Sequence, residues 1–260
     1  TLLQMNTNLA SLNLSGNTIK CEGVHYISAA LAQNTNLTLL DLGANHIKDA
    51  GVMDIATMLT TNKTLTDLDL RGNYVRMKGI KKLAKMLSVN NSIRRLSLAG
   101  NKIDDAGVGQ LALKLPKHPS LTSLNLGGNR ISDDGAVSLA NVLTDEECRL
   151  EWLSLGRNLI KNPGIIALAE SLENNSCLRC LSVQENPFQE LKIVKGKKAL
   201  AEAFKSNTLL ISKSLTGEAT VLREISTQKR VKINIHTGVD FLRDYDVKNV
   251  KSRSPTSTSE

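Results

Sequence analysis

The sequence predicts an α/β solenoid, a chain coiled into similar turns of one short strand and one helix each, and three observations predict it. An asparagine recurs at Asn17, Asn45, Asn73, Asn101, Asn129, Asn158 and Asn186, at an even spacing that lengthens by one only between Asn129 and Asn158. Each closes a nine-residue phrase of the form LxxLxLxxN: LASLNLSGN from Leu9, LTLLDLGAN from Leu37, LTDLDLRGN from Leu65, IRRLSLAGN from Ile93, LTSLNLGGN from Leu121, LEWLSLGRN from Leu150 and LRCLSVQEN from Leu178. After each phrase the apolar spacing becomes helical, as in Val52, Ile55, Ala56 and Leu59, or Ile80, Leu83, Ala84 and Leu87.

Each element follows in order. The LxL centre of the phrase alternates and reads as a strand whose leucines point inward. Two residues beyond the asparagine comes an aliphatic side chain (Ile19, Ile47, Val75, Ile103, Ile131, Ile160), then a glycine where the helix begins (Gly23, Gly51, Gly79, Gly107, Gly135, Gly164). A strand and a helix that are apolar on one side only must stack on neighbours to bury that side. With 41% hydrophobic but 3% aromatic residues, the core is built from aliphatic layers.

This phrase and period resemble the leucine-rich-repeat superfamily, and the 28-residue period with a helical second half is similar to its ribonuclease-inhibitor-like class, over residues 1 to about 215. The resemblance implies a right-handed horseshoe with a parallel sheet on the concave face and helices on the convex face. It also implies that the asparagines tie neighbouring loops together from inside.

The ends depart from the pattern. A shift of 28 sets Leu3 on Leu31 and Asn6 on Asn34, so the chain starts within the helix of an earlier repeat, as a fragment without initiating Met or cap. A monomer is expected, apart from association through the uncapped layer of Leu9, Leu12 and Leu14. At the other end Leu200, Ala201, Ala203 and Phe204 repeat the helix. The strand after them, around residues 210–215, puts Lys213 where an inward leucine belongs, as a capping repeat would. Residues 216–260 form a non-repeat extension, with a short alternating run VKINI from Val231 and a tail of disordered composition from about Lys251. Ser254, before Pro255 and after Arg253, is a candidate phosphorylation site.

The net charge of +8 is uneven: residues 187–260 hold 14 Lys+Arg against 8 Asp+Glu, and residues 1–186 hold 19 against 17. A uniformly basic groove for nucleic acid is therefore not expected, while the basic C-terminal region could touch an acidic partner or membrane surface. No apolar run approaches the ~18 residues of a membrane span. The cysteines are too few and too scattered for a disulfide framework, and with no signal peptide they point to a cytoplasmic protein. The sequons at Asn36, Asn62 and Asn90 then read as loop residues.

Little suggests chemistry. Cys177 and Cys180 form a CxxC, but they straddle the start of the seventh strand, point to opposite faces and lack a second pair, with His25, His46, His118 and His236 dispersed. No metal or cofactor is expected. Asp41 and Asp69 share a strand position in adjacent repeats, about 5 Å apart, on a sheet too open for hydrolysis; a partner-facing acidic spot fits them better. Lys78, Lys81, Lys82 and Lys85 line one face of the third full helix, a solvated outer face or a docking site for an acidic partner.

The expected function is a protein-protein interaction module, a scaffold or the recognition region of a larger protein, and not an enzyme. In the phrase, positions three, five, seven and eight face the concave surface and are mostly small, as at Ser11, Ser97, Ser123, Gly127 and Gly156. Against that background Asp67, Arg95 and Trp152 stand at position three, with Asp69, Arg71 and Arg157 near them. Together with Asp41 these are the candidate partner-binding residues, Trp152 and the arginines being the types that dominate interface energies. A second reading is a GTPase-activating protein similar to the Ran-specific leucine-rich-repeat family, using Arg71 or Arg95. The net basic character of residues 187–260 departs from the acidic stretch of that family.

Overall fold

The structure is a computed structural model that describes residues 2–172, 175–187 and 210–212. Each phrase forms a three-residue strand at its third to fifth positions: β1 (Ser11–Asn13), β2 (Leu39–Asp41), β3 (Asp67–Asp69), β4 (Arg95–Ser97), β5 (Ser123–Asn125), β6 (Trp152–Ser154) and β7 (Cys180–Ser182). An eighth strand, β8 (Leu210–Ser212), completes one parallel sheet in sequence order. The register advances by one repeat at every step, with Leu40 opposite Leu68, Leu68 opposite Leu96 and Leu96 opposite Leu124. β8 sets Ile211 opposite Leu181, where the closing strand is expected. Lys213, the helix around Leu200, the extension with its Val231 strand, and Ser254 lie outside the described residues.

Between the strands run α2 (Lys20–Leu31), α3 (Lys48–Thr61), α4 (Met77–Leu87), α5 (Asp105–Ala112), α6 (Asp133–Leu143) and α7 (Asn162–Ser171); α1 (Leu2–Met5) precedes β1. A helix is about 10 Å across and a strand step about 4.8 Å, so the stack curves with the sheet inside. The inward leucines form continuous layers: Leu40, Leu68, Leu96, Leu124 and Leu153 are fully buried, as are Leu42, Leu70, Leu98, Leu126 and Leu155. Leu9, Leu12 and Leu14 of the first layer are only half-buried.

The asparagine series does what the resemblance implies. Asn73 is fully buried; its Nδ2 donates to the carbonyls of Leu42 (2.8 Å), Leu70 (3.1 Å) and Arg71 (3.1 Å). Its Oδ1 accepts from the backbone of Asn45 (2.9 Å) and Ile47 (3.3 Å), both in the preceding repeat. Asn45, Asn101, Asn129, Asn158 and Asn186 repeat this pattern. Asn17, exposed at the first rung, donates only to Leu14 and Ser15 of its own repeat.

On the opposite edge runs a second ladder that the nine-residue phrase does not announce. Asn62 and Asn90, which as sequons read as loop residues, are buried; each donates to a carbonyl one repeat earlier, Leu31 and Leu59, at 2.8 Å. Each also accepts from the backbone N–H at the start of its own phrase, Leu65 and Ile93. Asn34 and Asn175 do the same, and Asn6 shares the accepting half. His118 stands in at the fifth such position, where Nδ1 accepts from Leu121 at 3.0 Å and Nε2 is buried without a hydrogen-bond partner. Burial holds His118 below the ordinary histidine value.

Helix starts are held across repeats as well. The Oδ1 of Asp49, in the first turn of α3, accepts from Arg76 (2.7 Å) and Gly79 (3.0 Å) of the next repeat. Asp105 serves Ser132 and Gly135 in the same way, and Asp133 serves Lys161 and Gly164. This explains the glycines: a Cβ at Gly79, Gly135 or Gly164 would lie 2.8, 2.5 or 2.7 Å from the capping oxygen. Met77 cannot cap α5, and there Asp104 accepts from Gly107 within its own repeat (2.9 Å). Where Cys21 occupies the corresponding place before α3, no side chain caps the helix, and the loop instead holds His46 and Lys48 at φ 59° and 57°.

Candidate functional site

The register assembles the concave surface. Position three runs through Asp67, Arg95, Ser123, Trp152 and Cys180 in adjacent strands, and position five through Asp41, Asp69, Ser97, Asn125 and Ser154. Side chains of one column therefore stand about 5 Å apart. Asp41 stands opposite Asp69, as their shared strand position implies, and Asp67 stands opposite Arg95.

The carboxylates do not face outward freely. Arg95 donates from Nε to Asp67 Oδ1, and Thr66 donates its hydroxyl to Asp67 Oδ2. Arg71 bridges two strands, with Nη2 3.2 Å from Asp41 Oδ2 and Nη1 3.1 Å from Asp69 Oδ2. It lies across Gly43, where a Cβ would come within 2.9 Å of its Cγ. Backbone amides add to this: Gly43 donates to Asp41 Oδ1 and Arg71 to Asp69 Oδ1, both at 2.8 Å. The side chain of Asp69 is 0% exposed and that of Asp41 6%, whereas that of Arg71 is 36% exposed. The surface over β2 and β3 thus presents a guanidinium with its charge largely matched from below.

Trp152 is half-buried between Ser123 and Cys180. Beyond it, Arg157 is exposed at φ 57° and holds Glu185 of the next repeat through Nε (2.8 Å) and Nη2 (3.1 Å). Between the two groups the floor is low, because Gly127 and Gly156 occupy position seven of their repeats. A Cβ on Gly127 would lie 3.2 Å from the Gly156 carbonyl.

Burial pushes Asp69 up to about 6, against the Arg71 backbone amide and guanidinium, which favour its charged form. The folded state therefore keeps this proton to a higher pH than the unfolded chain does. Between the ordinary aspartate value and about 6 it binds more protons, so the contribution of Asp69 to stability falls as pH rises through that window. Asp69→Asn, which cannot ionise, is expected to match the parent near pH 4 and to exceed it at pH 7.5 by about 2–3 kcal/mol, at about 1.4 kcal/mol per pH unit. Urea unfolding at both pH values measures this; an identical pH dependence in the two proteins would show that Asp69 is not the buried titrating group.

Five segments, residues 6–28, 33–56, 61–84, 89–112 and 117–140, match the family described as Leucine Rich repeat. The chain is a leucine-rich-repeat protein. Each match begins at the second ladder, runs through a strand and its asparagine rung, and stops within the helix or, for residues 89–112, at its end, so each matched unit is a little shorter than the full repeat. The search of curated proteins returned no match for this leucine-rich-repeat chain. Among solved structures it is similar to "Leiomodin-1 Actin-Binding Site 2 (ABS2)", at 22% identity and a TM-score of 0.49, covering 55% of this chain and 84% of that one.

Among the described residues, no group of three or more His, Cys, Asp or Glu side chains is placed to hold a metal ion, and no helix is long and apolar enough to cross a membrane. The strand register was enough to bring Asp67, Arg95 and Trp152 into one column. It did not reveal that Arg71 clamps both Asp41 and Asp69. The one available signal was Gly43 beside Arg71 at position seven of adjacent repeats, which leaves the bulky side chain only one empty neighbour to lie over.

Proposed function

We propose that this leucine-rich-repeat protein is an interaction module, a scaffold or recognition region, that binds another protein through the concave face of β3 to β7. The observation that carries the reading is the position-three column, in which a half-buried Trp152 stands between Ser123 and Cys180, two strands from Arg95, while Gly127, Gly156 and Arg157 occupy positions seven and eight of the fifth and sixth repeats. A partner's apolar side chain can cover the exposed part of the indole while its main chain approaches Gly127 and Gly156. Aromatic and arginine anchors of this kind dominate interface energies. The four strand steps span about 19 Å, a suitable core for a protein interface. Arg71 and Arg95, which a GTPase-activating role would use, are both engaged by carboxylates, and this favours binding.

Affinity capture with quantitative mass spectrometry tests the reading. Proteins retained by the parent are expected to fall about tenfold with Trp152→Ala, which is about 1.4 kcal/mol. Arg95→Ala is expected to act in the same direction, whereas Lys81→Gln with Lys82→Gln, on the helical side, leaves these proteins bound. If no retained protein depends on Trp152 or Arg95, the concave assignment is wrong.

A further inference from the structure

The near neutrality of residues 1–186 conceals a sharp segregation of charge. Residues 70–132 contain twelve Lys and Arg against two Asp, a net +10; residues 1–69 contain three against six, and residues 133–186 four against nine. Repeats three to five thus form a basic belt between acidic flanks. Arg71 and Arg95 are engaged on the sheet. Of the other ten cations Arg94 adjoins the start of β4 and nine lie outside the sheet, and among the described residues none of the ten has a carboxylate within 4.0 Å. Of the two aspartates, Asp104 and Asp105, both accept backbone amides at helix starts.

The belt is centred on α4. Lys78, Lys81 and Lys85 are exposed, Lys82 is half-buried, and α4 contains no acidic residue. They extend over about 10 Å of helix, roughly one Debye length, and so act as one positive field. The neighbouring surface is apolar and low. α5 has 8 residues where α4 and α6 have 11. At the places of Lys81 and Val137 it carries Gly109, where a Cβ would meet nothing within 4 Å. Beside this dip Leu113 is 69% exposed, one repeat on from Lys85, and Val137 is exposed on the flanking α6.

We propose that the convex saddle over α4, α5 and α6 is a second interaction surface, which takes an acidic segment of a protein carrying apolar side chains. The carboxylates meet Lys78, Lys81 and Lys85, and an apolar side chain enters the dip at Gly109 against Leu113. A nucleic-acid strand fits less well. It would leave Leu113 and Val137 uncovered, and α4 and α5 offer no aromatic ring for a base to stack on.

Fluorescence anisotropy with a short amphipathic Glu/Leu peptide, at low salt, tests the proposal on the full chain. Saturable binding is expected, weakened about tenfold by combining Lys78→Gln, Lys81→Gln, Lys82→Gln and Lys85→Gln, weakened also by Leu113→Ser, and unchanged by Trp152→Ala. Thermal unfolding confirms that the variants remain folded. Three results would each overturn it: undiminished binding in the lysine variant, which would place the peptide on residues 187–260; equal binding of a Glu/Ser peptide with no effect of Leu113→Ser; or tighter binding of single-stranded RNA or phosphatidylserine vesicles than of the peptide. Because Trp152→Ala is the control here, failure of this surface and failure of the concave one give different patterns.

Discussion

Asn73→Ala is expected to lower the unfolding free energy by about 4 kcal/mol or more, among the largest losses any single substitution in this chain can produce. The side chain is fully buried and satisfies five backbone groups at once, two N–H of the preceding repeat and carbonyls of both repeats. In the alanine variant the carbonyls of Leu42, Leu70 and Arg71 keep Asn45, Asn101 and Ala44 as donors, but the N–H groups of Asn45 and Ile47 lose their acceptor inside the solenoid, at about 1–3 kcal/mol each, and three further hydrogen bonds are lost. Asn17→Ala, at the exposed first rung, is expected to cost less than about 1 kcal/mol, because water reaches the freed carbonyls. Chemical denaturation of the two variants measures the difference. Similar costs would mean that the ladder is merely compatible with the turns and does not hold them.

Leu98→Ala is expected to cost about 3–5 kcal/mol. Leu98 is fully buried with Leu70 on one side and Leu126 on the other, so the cavity is walled by repeats that cannot collapse into it without shifting the sheet. Leu12→Ala, in the half-buried first layer, is expected to cost less than half as much, since part of that side chain already contacts solvent. Equal losses at the two positions would show that the first layer is as well covered as the fourth.

Most of the scaffold was legible in the sequence because a solenoid repeats its instructions. The place of every strand from β1 to β7, the inward leucines and the rungs from Asn45 to Asn186 follow from one phrase read seven times. What was not legible lay in departures from the phrase. Asn62 and Asn90 looked like glycosylation sequons in loops, although Asn34, Asn62 and Asn90 stand one full repeat apart and so already marked a ladder. The helix-start glycines were visible, but their cause was not: a carboxylate from the preceding repeat, Asp49 or Asp105, approaches too closely for a Cβ. The clamp of Arg71 on Asp41 and Asp69 depends on where a long flexible side chain comes to rest, which spacing does not determine. Summing charge over the whole repeat region hid the basic belt, since the acidic flanks cancel it.

The ladder has a direction. Asn45 reaches back to Leu14, Asn73 to Leu42 and Asn101 to Leu70, while the amide oxygen of each rung receives N–H groups from the repeat before it. Each turn is therefore completed by the asparagine of the turn that follows. On a ribosome the chain emerges from its N-terminal end. The second turn, finished as far as Asn45, has its Leu42 carbonyl bonded to Asn45, but the N–H groups of Asn45 and Ile47 lack their acceptor until Asn73 has left the exit tunnel in its turn. Closure thus trails synthesis by one repeat all along the solenoid, and the most recently made turn is always the one with open hydrogen bonds.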